Sequence, residues 1–322
     1  MQKVLWRLVI SLAFIALLFY LMRNDIPEIL GAIRHANHQL IGLATVIFIA
    51  STVIFAKRLQ MIFAAENIHL SLADLSNLTF VGYFFNNFLP TSVGGDIVKA
   101  MCATRLTKDP VKSVTTILMD RIFGLFSFVL IPSITLLFFL KQAGSPNVLF
   151  IVYFFLAAAI FCFFLLFNRN LARKFGFVEA MLKWVRLDKK ARAIYDGLNQ
   201  FKDRKKLIVA AMLLSIVGQL ISLWITYLLG QALGSDAPAI YYFLLVPVVQ
   251  LLAMLPSLNG LGIREGAYVY FMGPWMGKEK AFALGILWLA MLFVMSLIGA
   301  VIYLVRHDYH IQFKGASNEL AS

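Results

Sequence analysis

Residues 86 to 99 read NNFLPTSVGGDIVK: two amides, a proline, a glycine pair, then an aspartate and a lysine three residues apart. A related run, PSLNGLGIRE, occupies residues 256 to 265. Such residues do not build a smooth membrane-spanning helix, yet both runs sit among apolar stretches. Pro90 stops an incoming helix and pushes the residue before it out of the helical region. Gly94 and Gly95 permit a tight reversal, and Asp96 is placed to cap the helix that leads away. That helix carries Lys99 and, further on, Arg105. A helix start aimed into a cavity attracts anions through its free N–H groups and its dipole, and Lys99 supplies a counter-charge for a phosphate. The simpler alternative is local pairing of Asp96 with Lys99, the carboxylate competing for the same N–H groups.

In the second run Pro256 breaks the helix, and Gly260, Gly262 and Gly266 loosen the backbone around Arg264 and Glu265. A charge at membrane depth costs about 2.5–3.5 kcal/mol on the insertion scale, so it needs a partner or water. Arg264 and Glu265 are adjacent and face different ways on a helix, which leaves Asp96, Asp120 and Lys99 as cross-partners. A shallow hairpin at headgroup level is the simpler alternative. LMDRIFGLF (118–126) adds Asp120 and Arg121 inside an apolar run; Arg121 is able to snorkel to the surface, whereas Asp120 is harder to place. Asn86, Asn87, Asn259, Gln219 and Gln250 are candidates for cavity lining or for bonds between helices.

These residues need elements to hold them. Of 322 residues, 61% are apolar and 14% charged, with a mean hydropathy of +0.83; a soluble domain carries about 25% charged residues. The chain reads as a polytopic membrane protein with room for roughly six to nine segments of about 20 residues. Its apolar runs are continuous rather than alternating, so the expected fold is all-α and not a barrel. The net charge of +13 does not point to nucleic acid, because Lys and Arg gather at the ends of apolar runs. There they mark the cytoplasmic side and favour anionic lipids. Cys102 and Cys162 lie in separate apolar surroundings and read as packing residues.

Spanning runs are expected at about 4–22, 40–56, 114–140, 148–167, 207–230 and 281–305. The first, with no small-residue cleavage site before Arg23, reads as a retained span. Loop 168–206 holds twelve basic residues against Glu179, Asp188, Asp196 and Asp203, so it is expected in the cytoplasm, lying as an amphipathic helix on the leaflet. Starting from a cytoplasmic N-terminus, span 40–56 returns inside and leaves Lys57 and Arg58 in the cytoplasm. Two segments, 74–108 and 239–276, then begin and end on one side each, and on opposite sides. Both are expected to be re-entrant hairpins, with second legs at 96–108 and 264–276. The implied plan is one membrane domain over 1–322, with inverted repeat halves at about 40–140 and 207–305 and both termini cytoplasmic.

No catalytic constellation accompanies this plan. H-E-x-x-H, G-x-S-x-G and a P-loop are missing, and His307 and His310 read as solvated or headgroup residues. No metal and no cofactor are expected.

NNFLPTSVGGDIVKA, DRIFGL and LPSLNGLGIREGAY together resemble the lysylphosphatidylglycerol synthase transmembrane-region family, also called flippase-like. The resemblance implies a membrane domain of the bacterial inner membrane that moves lipids between leaflets. In the namesake enzymes a synthase domain follows; only 17 residues (306–322) follow the last span here, so synthase activity is not carried over. The matching positions are Asn87, Pro90, Gly94, Gly95, Asp96, Asp120, Arg121, Pro256, Gly260, Gly262, Arg264 and Glu265. Lys99 stands where members often have Arg, and lysine holds a phosphate as a point charge rather than by a bidentate grip. The expected function is a lipid flippase, not an enzyme, taking an anionic or polyprenyl-phosphate-type headgroup. A non-transporting partner that supplies lipid to a separate lipid-modifying enzyme is the alternative, and an embedded transferase using Asp96 or Glu265 as base is a third. A homo-oligomer is compatible with all three.

Overall fold

The computed structural model describes residues 26–88, 94–138, 204–254 and 260–309, with a few positions between 150 and 201. The expected spans 4–22 and 148–167 and most of the basic loop lie outside the described residues, as do Pro90, Pro256 and Asn259. Among the described residues the fold is all-α. Its helices are α1 (Ile26–Arg34), α2 (His38–Ala65), α3 (Leu72–Phe88), α4 (Gly94–Thr107), α5 (Pro110–Phe138), α6 (Lys205–Ala232), α7 (Ala239–Leu252), α8 (Ile263–Met276) and α9 (Lys278–Val305). A 3-10 turn, His307–Tyr309, follows α9.

Four of these helices are long and apolar enough to cross a membrane: α2, α5 over Pro110–Thr135, α6 and α9. At 1.5 Å per residue, 28 residues reach about 42 Å, beyond the ~30 Å hydrocarbon core. Their outer faces are greasy. Val209, Leu213, Val217 and Trp224 of α6, and Leu297, Val301 and Leu304 of α9, are all exposed. In water such a face would be an anomaly; against acyl chains it is the expected surface.

Four of the remaining five helices, α3, α4, α7 and α8, form two hairpins. In the first, α3 and α4 run antiparallel, because Gly82 lies against Lys99 and, four residues on, Asn86 lies against Gly95. A Cβ at Gly95 would stand 2.2 Å from the Gly82 carbonyl oxygen, so the close approach of the two backbones depends on glycine. In the second, Tyr241 stacks on Trp275 at 3.7 Å between ring centroids, while Ala253 meets Gly260 at the turn. Gly260 and Gly262 have φ of +78° and +82°, the left-handed conformation that reverses the chain ahead of α8.

The two halves correspond helix for helix. α2, α3, α4 and α5 have 28, 17, 14 and 29 residues; α6, α7, α8 and α9 have 28, 14, 14 and 28. Packings repeat as well: α3 on α9 answers α7 on α5, and α4 on α5 answers α8 on α9. The counterparts α2 and α6 lie side by side and antiparallel. The Asn37 N–H donates to the Ala232 carbonyl at 2.8 Å, and Arg58 meets Ser215 towards the other end. Helices α2 and α6 therefore run in opposite directions.

One boundary departs from the sequence reading. Helix α2 runs to Ala65 instead of stopping near residue 56, because the polar turn KRLQ is followed by apolar MIFAA. Arg58 is therefore a buried residue of a spanning helix, at 6% exposure, and not a cytoplasmic loop residue.

Candidate functional site

Where the two halves meet, helices α2 to α9 line a cavity of about 310 Å³. Its charged part is built on three elements. Helix α2 carries Arg58, hairpin α3–α4 carries Asp96 and Lys99, and α5 carries Asp120 and Arg121. Arg58 Nε donates to Asp120 Oδ1 at 2.7 Å and its Nη1 donates to Ser215 Oγ at 2.9 Å. Arg121 Nη1 stands 3.0 Å from Asp96 Oδ2. Lys99 Nζ lies between the two aspartates, 3.8 Å from Asp96 and 3.9 Å from Asp120. Those two distances are too long for hydrogen bonds, so Lys99 is held by field rather than by contact. Its aliphatic stem packs on bare Gly82, where a Cβ would come within 2.6 Å.

Three cations against two carboxylates leave this cluster positive, and Arg264 faces the same cavity from α8. Buried charges of this kind persist only when paired or solvated. The cavity supplies both conditions: each carboxylate has a cationic partner, and polar walls surround the group.

The other part of the cavity is apolar. Phe48 stacks on Trp288 at 5.5 Å and meets Tyr83 edge-on at 5.8 Å, with Leu125, Phe128 and Leu292 close by. Phe48 and Arg58 are ten residues apart on α2, which separates the aromatic and charged parts by about 15 Å. Between them Gln219 Nε2 donates to Gln250 Oε1 at 2.6 Å, and Gln250 Nε2 donates to Ser222 Oγ at 3.2 Å. Such a cavity suits an amphiphile: a charged head, a hydrogen-bonding neck and an apolar stem.

The residues expected from sequence fall into three groups. Asp96, Lys99, Asp120, Arg121, Gln250 and Arg264 all line the cavity. Asn86 lines it too and has a second task, accepting the Gly95 N–H through Oδ1 at 2.8 Å. The expected cap by Asp96 is corrected: α4 begins at Gly94, so Asp96 lies within its first turn, and its carboxylate turns to Arg121. Asn87 is structural, its Nδ2 donating to the Leu292 carbonyl at 3.1 Å and tying α3 to α9. Gly94 and Gly95 are buried at the start of α4, and Gly260 and Gly262 shape the turn before α8.

Glu265 also departs from expectation. Instead of pairing with Asp96, Asp120 or Lys99, it folds back on its own helix start, where Oε2 accepts the Gly262 N–H at 2.6 Å. A carboxylate at the third helical position is well placed for this, since free N–H groups and the dipole favour it there. Asp96 and Asp120 take Arg121 and Arg58 in place of partners from the second hairpin.

Sequence reasoning overlooked Arg58, Ser215 and the Phe48–Trp288 wall. The usable signal for Arg58 was the apolar MIFAA after it, which extends the span past the charge. Nothing local marks Phe48 or Trp288 among 29 phenylalanines and five tryptophans; their role comes from packing between halves.

A family model described as lysylphosphatidylglycerol synthase TM region matches residues 4–299. No curated protein matches the chain. The match takes in three of the long helices and most of α9, both hairpins and every charged residue of the cavity. This multi-pass membrane protein belongs to the lysylphosphatidylglycerol synthase transmembrane-region family, a lipid-related family.

Proposed function

We propose that this protein carries a lipid with an anionic headgroup between leaflets of a bacterial inner membrane, as a transporter and not an enzyme, with both termini in the cytoplasm. The observation that carries this reading is the division of the cavity. A net-positive cluster of Arg58, Lys99, Arg121 and two aspartates sits at one part, and the Phe48–Trp288 wall at the other. The phosphate docks among the bases while the acyl chains stay in the bilayer.

The hairpin helices support the same reading. With 14 to 17 residues, each reaches about 21–26 Å, short of the ~30 Å core. In this reading both are re-entrant, one from each face, and bring non-helical backbone to membrane depth where it borders a cavity. Alternating access then consists of one half rocking against the other about the α2–α6 contact. Lys99, held at 3.8 and 3.9 Å, is the base most readily lent to a headgroup, since no short bond has to break.

The experiment is native mass spectrometry of the purified protein with defined lipids. Phosphatidylglycerol and phosphatidic acid should remain bound in preference to phosphatidylcholine, and Arg121→Gln should reduce that preference several-fold. Equal retention of all three, unchanged in the variant, contradicts an anionic headgroup site.

A further inference from the structure

One buried charge is not used by the headgroup reading. Glu265 is 5% exposed. Its Oε2 accepts the Gly262 N–H at 2.6 Å, while its Oε1 is buried without a hydrogen-bond partner among the described residues. The carboxyl sits at the reversal made by Gly260 and Gly262 and directly follows Arg264, which faces the cavity. Around it, α8 contributes Arg264 and Tyr268, with Thr226 of α6 and Tyr242 of α7 acting on Tyr268, and α9 presents bare Gly285, where a Cβ would stand 3.1 Å from the Glu265 Cγ. Arg264 is the charge that acts on it. An ionised carboxylate here is stabilised by the helix start and by Arg264, and in return it cancels the charge that Arg264 presents to the cavity.

We propose that Glu265 is a proton-binding site coupled to anion entry, because its unbonded Oε1 lies beside the turn glycines and its charge masks that of Arg264. The inference rests on the anionic-headgroup reading. Arg58, Lys99, Arg121 and Arg264 line the cavity with Asp96 and Asp120; with Glu265, next to Arg264 in the chain, ionised, one positive charge remains. A proton from water added to Oε1 neutralises the carboxylate and leaves two. The cavity then attracts an anion more strongly, and reciprocity requires that a bound anion raise proton affinity by the same factor. Loss of the carboxylate charge also weakens the Gly262 cap, so the same event loosens the reversal that holds α8. One anionic headgroup and one proton therefore bind together and travel together, which supplies an ion gradient as the energy source for a chain with no nucleotide site among its motifs.

The test uses the purified full-length protein in detergent and short-chain dioctanoyl phosphatidylglycerol, a phosphodiester that stays singly charged across the pH range used. Dissociation constants are measured from pH 5 to 9, with dioctanoyl phosphatidylcholine as control, and proton uptake on binding is followed in weakly buffered solution. The expected wild-type result is binding that weakens by up to tenfold per pH unit on the alkaline side, with up to one proton taken up per lipid bound. Glu265→Gln should bind with no pH dependence, near the tightest wild-type value. Glu265→Asp, which keeps the titrating group, should keep the dependence; this arm and the wild-type uptake carry the test if the glutamine variant fails to fold. Binding that is insensitive to pH in the wild type, or a dependence that survives in Glu265→Gln, overturns the proton site while leaving the headgroup site standing. No preference for the anionic lipid at any pH overturns both.

Discussion

Arg58 of α2 and Asp120 of α5, 62 residues apart in the chain, meet at 2.7 Å with both side chains almost wholly out of solvent. This pair fixes the first spanning helix of one half to the last, and it forms the floor of the charged cluster. Removing one partner of a buried pair leaves an uncompensated charge and costs about 3–5 kcal/mol, whereas replacing both by apolar residues of similar size is often neutral. Arg58→Ala and Asp120→Ala should each lower the unfolding temperature in detergent sharply. Arg58→Met with Asp120→Leu should recover most of that loss. Equal destabilisation by the double variant would show that the two residues do not act as a pair.

The glycines of the first hairpin should rank by what their Cβ would strike. Gly82→Ala meets the flexible stem of Lys99, whereas Gly95→Ala meets the Gly82 carbonyl at 2.2 Å. Overpacking of this kind costs about 1–3 kcal/mol, and the rigid neighbour sets the upper end. Thermal unfolding should place Gly95→Ala clearly below Gly82→Ala. Gly82→Ala should chiefly weaken lipid binding by displacing Lys99. The reverse order of stability would contradict the hairpin geometry.

The reversal before α8 requires φ of +78° and +82° at Gly260 and Gly262. A residue with a Cβ pays about 1–2 kcal/mol to sit there. Gly262→Ala should therefore destabilise by at least that amount, while alanine at Gly42, which has nothing within 4 Å, should change stability little or raise it slightly. Matched unfolding curves for the two variants would refute the turn.

At the other end of α3, Arg306 pairs with Asp74 just beyond the last span, and the Tyr309 hydroxyl donates to the Asp74 carbonyl at 3.2 Å. The Ser71 hydroxyl and the Arg306 guanidinium together hold the Asp74 carboxyl below its usual range. A carboxyl depressed in the folded state contributes stability above about pH 4, and that contribution is lost as the pH falls through the folded value. Asp74→Asn should remove this acid-sensitive part. With Arg306 41% exposed, the effect stays below about 1 kcal/mol. Proteolysis of the C-terminal segment after residue 306 should quicken in the variant at pH 7, and the difference from wild type should narrow as the pH falls below about 4.

Much of this architecture was legible in the sequence, for physical reasons. Hairpin boundaries lie within four residues of expectation, because glycines mark the reversals and apolar runs set the legs. Arg58 was misread because a charge near the end of an apolar run looks like a flank; only its distant partner Asp120 accounts for its burial. The turn of Glu265 onto Gly262 was equally hidden. Helix capping needs knowledge of where α8 begins, and positive φ at two glycines decides that. The pairings among Asp96, Lys99 and Arg121 depend on how closely α4 approaches α5, a distance set by packing between elements.

The central claim is that the cavity passes anionic lipid headgroups across the membrane. Its most direct test is leaflet exchange of fluorescent phosphatidylglycerol in liposomes containing this protein alone, wild type beside Asp96→Asn and Arg264→Ala. Exchange well above that of protein-free liposomes, reduced at least tenfold by either substitution in protein that remains folded, is the predicted result. Exchange no faster than in protein-free liposomes, with a pH gradient of either direction imposed, would contradict transport and point to a subunit that serves a separate lipid-modifying enzyme.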